Sequence, residues 1–146
     1  MLETLFAWFL ATWLVPAAAP APPALVSDGE TIGSEDELAR LPGQRVTVLG
    51  PEPASDDAVL VHYRIDDIAA EGKPWIGRVR VDGERLALET RGGLVLPLAG
   101  PLARKRIAGP GYKLWVIGDL SANTDAAGRP AALFARRMGV LAPPPL

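Results

Sequence analysis

The chain has 146 residues, no cysteine, a formal net charge of −2, and fifteen residues each of Gly and Pro. That length leaves room for one domain, and so much Gly and Pro favours turns and short elements over long helices. Without cysteine there are no disulfides, no thiolate catalysis and no Cys-based zinc or iron–sulfur site. The small net charge hides an asymmetry: Asp28 to Glu71 holds eleven acidic and three basic residues, whereas Lys73 to Leu146 holds five acidic and twelve basic. Either the two halves interleave on one surface, or they present opposite faces able to steer a partner.

No charged residue occurs from Thr4 through Ser27. Leu5, Phe6, Trp8, Phe9, Leu10, Trp13 and Leu14 make the start of this stretch apolar all round, as expected of a segment in lipid or in a targeting groove. Residues 1–15 are therefore expected to be a hydrophobic helix that directs the chain to a membrane. A cleaved signal is one reading, but no Lys or Arg precedes the apolar stretch, and Pro20 and Pro22 follow the small residues where a cut would fall. A retained anchor is the preferred reading. Leu2 to Val15 would span roughly 21 Å, and continuation through Ala19 roughly 27 Å, against a hydrocarbon core of about 30 Å. The anchor would hold the domain outside the cytoplasm, in a periplasmic or extracellular position; cleavage would secrete it.

Residues 16–33 form a Pro/Ala-rich linker, with a polyproline-II spacer from Pro16 to Ala24. A β domain is expected over 34–141, followed by the Pro-rich tail 142–146. The domain opens on Ser34-Glu35-Asp36-Glu37, a capping-box pattern in which Ser34 caps and Glu37 reaches back. Leu38 and Leu41 give the buried side of a helix of about two turns, which Pro42-Gly43 stops.

Strands follow. Arg45 to Gly50 is short and β-branched, and Val59, Val61, Tyr63 and Ile65 alternate with Leu60, His62, Arg64 and Asp66. Trp75 to Val81 sets Arg78 and Arg80 opposite Val79 and Val81. Asp82-Gly83 signals a hairpin returning through Arg85 to Thr90, with Leu86 and Leu88 inward. Gly92-Gly93 leads into Leu94 to Leu96. Lys113 to Gly118 and Ala131 to Val140 complete the set. Seven short strands and one short helix predict a mainly β domain, a small closed barrel or a sandwich.

The run Ser34-x-x-Glu37-Leu38-x-x-Leu41-Pro42-Gly43-Gln44-x-Val46-x-Val48-x-Gly50 resembles the entry to OB-like β-barrel domains of bacterial membrane-attached proteins. Val116-Ile117-Gly118-Asp119-Leu120, followed by Gly128, is similar to their late strand and loop. This resemblance covers about 110 residues and implies an OB-like fold; its motifs are turns and apolar alternation and carry over no functional residue.

Chemistry-bearing constellations are scarce. His62 is the one histidine, and none of the four serines lies in a Gly-x-Ser-x-Gly turn. Asp56-Asp57 and Asp66-Asp67 read as strand-end turn residues, and Asp119, Asn123 and Asp125 lack the calcium-loop spacing. No catalytic residue, metal site or cofactor is expected. Arg104-Lys105-Arg106 and Arg136-Arg137 are the densest basic spots and the candidate partner-binding residues, with anionic lipid headgroups as a further contact. Together with Tyr63, Trp75, Tyr112, Trp115 and Phe134 they also suggest an OB-type platform for nucleic acid or oligosaccharide. The acidic first half and a pI near 5.4 argue against nucleic acid. The expected function is that of a non-enzymatic, membrane-associated accessory protein, a subunit of a larger membrane complex whose β domain docks a protein partner.

Overall fold

The computed structural model describes residues 25–52, 59–103, 109–121 and 132–145. The hydrophobic segment 1–15, the linker up to Ala24, Asp56-Asp57, Arg104-Lys105-Arg106, and Asn123, Asp125 and Gly128 lie outside the described residues. Among the described residues no helix is long and apolar enough to cross a membrane.

In chain order the elements are β1 (Glu30–Ser34), α1 (Glu35–Leu38), β2 (Arg45–Glu52), β3 (Leu60–Asp67), β4 (Trp75–Asp82), β5 (Arg85–Thr90), β6 (Val95–Ala99), β7 (Lys113–Leu120) and β8 (Leu133–Ala142). The fold is mainly β, with eight strands in two sheets and one short helix. The described residues thus hold one strand more than the seven expected. The addition is β1, which pairs residues 30–33 of the expected linker, together with Ser34, antiparallel to β3.

The first sheet has the order β1-β3-β2, all antiparallel. Its central strand β3 follows the expected alternation, with Val61, Tyr63 and Ile65 buried and the residues between them half-buried. The second sheet closes on itself. β4 pairs with both β5 and β7, β5 with β6, β7 with β8, and β8 runs parallel to β6 through Leu98↔Leu133 and Ala99↔Phe134. The β4–β5 hairpin turns at Gly83-Glu84, with Asp82 opposite Arg85.

Two apolar cores result. Val79, Leu86, Leu88, Leu96, Leu98, Leu114, Val116, Leu133 and Ala135 fill the ring. Leu41, Val61, Tyr63, Ile65, Ile68, Ile76, Ile117 and Leu141 pack between the ring and the three-stranded sheet. β7 therefore buries both of its faces, Leu114 and Val116 toward one core and Ile117 toward the other, which is why Leu114 to Ile117 is a continuous apolar run.

The helix departs from expectation. It is a single turn, and Ser34 makes no side-chain capping bond. The capping box is not formed because the Glu37 carboxylate turns inward, where it accepts a charge-assisted hydrogen bond from buried Lys113 and another from Tyr63 Oη.

Candidate functional site

The junction between the two sheets carries the densest buried polar chemistry of the described residues. α1 brings Glu37 inward, β3 brings Tyr63 and β7 brings Lys113. Tyr63 Oη donates to Glu37 Oε1 at 2.7 Å, and Lys113 Nζ donates to the same oxygen at 2.8 Å and to the Ile32 carbonyl at 3.0 Å. The side chains of Lys113 and Glu37 are 8% and 6% exposed. The carboxylate folds back over Gly33, where any Cβ would collide with it.

Burial pushes the Lys113 ammonium below the usual lysine range; Glu37 opposes this, while Arg78 and Arg91 add to it. Burial also drives the Tyr63 hydroxyl far above its ordinary value, with the Glu37 hydrogen bond and charge acting in the same direction. Tyr63 therefore remains a proton donor. Chemically the trio is a brace: one carboxylate collects two donors from opposite sheets.

Beside it opens a cleft of about 310 Å³, lined by Thr31, Arg78, Glu89, Thr90, Arg91 and Lys113 among others. Arg78 Nη1 donates to the Gly111 carbonyl at 2.9 Å, and Glu89 leans toward Arg80 at 3.4 Å.

Of the described residues singled out from sequence, Tyr63 belongs to the trio, whereas Arg136, Arg137, His62 and Asp66-Asp67 do not. Arg136 pairs with Glu71 at 3.1 Å and Asp119 at 2.5 Å, and Arg137 shares the Glu71 carboxylate. Both arginines are exposed, and they tie β8 to the β3–β4 connection. Hydrogen bonds from Arg137 and Arg136 hold Glu71 below the usual glutamate range. His62 faces Glu30 at 3.0 Å. Asp66 accepts from Thr47 at 2.5 Å and Arg64 at 2.6 Å, which lowers its pKa, Thr47 contributing most. Asp67 accepts from the backbone N–H groups of Ala70 and Gly72, as a turn aspartate does. The described residues hold no group of three or more His, Cys, Asp or Glu side chains able to bind a metal.

No family model, curated protein or solved structure matches the chain.

The aromatic side chains and the apolar surface divide sharply. Tyr63 is fully buried, and Trp75, Tyr112 and Trp115 pack against the cores; of the five aromatics grouped above, Phe134 alone is exposed. β2 lies at the end of its sheet with one side unpaired by any described strand. On and beside it Val48 is 59%, Leu49 40% and Val59 60% exposed. A bulge between Val48 and Gly50 turns Val48 and Leu49 outward together. Its short, β-branched sequence marks β2 as a strand without showing that its apolar residues stay uncovered. Glu37 and Lys113 were also missed as a pair, because 76 residues separate them and neither lies in a local motif.

Proposed function

We propose that the chain is a non-enzymatic accessory subunit of a membrane complex, whose N-terminal segment holds it at the membrane and whose β domain docks a protein partner outside the cytoplasm. The ring order β4-β5-β6-β8-β7, closed by a parallel pair, supports reading the domain as an OB-like barrel carrying an additional three-stranded sheet. The observation that carries the docking reading is the β2 edge. Val48, Leu49 and Val59 are exposed apolar side chains beside a strand edge that no described strand pairs, an arrangement that suits contact with another protein. Within the fold Arg136 and Arg137 are paired with Glu71, and Arg136 also with Asp119; Arg104-Lys105-Arg106 remain the other basic contact in this proposal.

A platform for nucleic acid or oligosaccharide has weaker support. Stacking needs exposed rings, and among the described aromatic residues Tyr63 is buried, Trp75, Tyr112 and Trp115 are half-buried against the cores, and Phe134 alone is exposed.

The test is purification of the tagged full chain from its native membranes in mild detergent, comparing wild type with Val48→Asp/Leu49→Asp. We expect the wild-type chain to bring down a defined complex, and the variant to lose it while melting at the same temperature. A variant that retains the complex would overturn the assignment of the β2 edge.

A further inference from the structure

We propose that the cleft between β1 and the β4–β5 ladder is a binding site for a phosphate-type oxyanion, carried by a free phosphate compound or by a lipid headgroup.

The cations of the domain differ in whether they meet a carboxylate. Arg64, Arg80, Lys113, Arg136 and Arg137 each meet a carboxylate. Arg78 and Arg91, both on the cleft wall, meet none among the described residues. Arg78 makes one hydrogen bond, to the Gly111 carbonyl, and Arg91 makes no hydrogen bond or ion pair with a described residue. A guanidinium carries five N–H donors in a planar fork matched to phosphate, so most of these donors are uncommitted.

The third cation is Lys113, at the cleft's inner wall. Two of its three N–H donors go to Ile32 and Glu37, which leaves one. Thr90 Oγ1 accepts from the Leu94 N–H at 3.2 Å, so its own hydroxyl proton is free to point into the space. Thr31 adds a second hydroxyl to the lining. Glu89 is the one carboxylate on the wall; it lies opposite Arg78 across the β4–β5 ladder and contacts Arg80 at 3.4 Å.

Electrostatics agrees with this geometry. Arg78 and Arg91 both disfavour the charged form of Lys113, so the three cations repel one another across the cleft. A bound anion offsets that repulsion while satisfying the spare donors. Ile32, Ile76 and Gly77 complete the lining, and the volume of about 310 Å³ exceeds that of phosphate alone. It lies at the lower end of small-molecule sites and leaves room for the group that the phosphate is attached to.

The experiment is calorimetric titration of the full chain in neutral detergent with inorganic phosphate, chloride holding the ionic strength constant. Saturable one-to-one binding is expected. Arg91→Gln and Arg78→Gln should each weaken it about tenfold, whereas Arg85→Gln, at the far end of the hairpin, should leave it unchanged. Arg91 is exposed and makes no hydrogen bond or ion pair with a described residue, so an unchanged melting temperature is expected for Arg91→Gln and separates lost binding from lost folding. Phosphate that does no more than chloride, or an Arg91→Gln protein that binds as wild type, would overturn the site. A parallel titration with glycerophosphoglycerol, a deacylated headgroup, distinguishes the sources. Binding of both compounds assigns the site to a lipid headgroup, and binding of phosphate alone assigns it to a free phosphate compound.

Discussion

Trp115 on β7 lays its indole over the bare backbone of Gly139, its direct partner across the β7–β8 ladder. A Cβ at position 139 would collide with Nε1, Cε2 and Cζ2 of the ring. Trp115 itself packs against the core between the two sheets, so it cannot move aside without disturbing that core. Gly139→Val is expected to destabilise the domain by about 1–3 kcal/mol through overpacking. Denaturant melts followed by tryptophan fluorescence would check this; unchanged stability would mean that the indole has another low-energy position.

The brace between the sheets predicts an asymmetry between single and double variants. Lys113→Met leaves the Glu37 carboxylate buried without its cation and is expected to cost about 3–5 kcal/mol. Glu37→Leu/Lys113→Met removes both charges and should be the milder change, although Tyr63 loses its acceptor. Chemical denaturation of the wild type, the single variant and the double variant measures the coupling. A double variant worse than the single one would rule out the pair as the source of the loss.

Acid should weaken the fold through Glu71 and Asp66. Both have folded pKa values below their ordinary 4.5 and 3.8, so the folded state holds these protons less tightly than the unfolded chain does. Their stabilisation is complete above the ordinary values and disappears as pH falls through the lowered ones. Thermal melts should therefore drop below about pH 4.5, and Glu71→Gln should flatten part of that drop. Because both groups are solvent-accessible, added salt should reduce the effect.

Replacing Arg104, Lys105 and Arg106 with Ala is the test of the docking role read from sequence, and the melting temperature is expected to stay within a degree or so. The same change should reduce recovery of the membrane complex at moderate salt, where screening over about 8–10 Å already weakens long-range attraction. Earlier melting with the complex retained would place the docking contact on another face.

Local signals in the sequence carried much of the fold. Alternation at Val61, Tyr63 and Ile65 exposed β3, Asp82-Gly83 marked the hairpin, and Leu86 and Leu88 were read as inward. β1 had no such signal: Glu-Thr-Ile-Gly-Ser offers one large apolar residue, and its strand state comes from pairing with β3 some thirty residues later. A fragment cut at Ser34 would remove nearly all of that strand, and with it the Ile32 carbonyl that receives Lys113.

The site was less legible, for a related reason. Ser34 and Glu37 fit a capping pattern by spacing alone, and only the arrival of Tyr63 and Lys113 from other strands gives the carboxylate better partners. The cleft has the same origin. Its walls come from β1, β4, β5, the following turn and β7, so no window of sequence holds more than two of its cations.

The parallel seam also bears on how the protein is made. Among the described residues Leu98↔Leu133 and Ala99↔Phe134 alone join β6 to β8, and β8 forms the other ladder that completes the ring, with β7. A chain emerging from the ribosome can assemble the three-stranded sheet and the β4–β5 hairpin early, because their partners are close in sequence. It cannot close the ring until residue 133 and its neighbours are free of the exit tunnel. Until then Leu88, Leu96 and Leu114 remain open to water, and the nascent chain presents an unfinished apolar trough to any chaperone waiting outside.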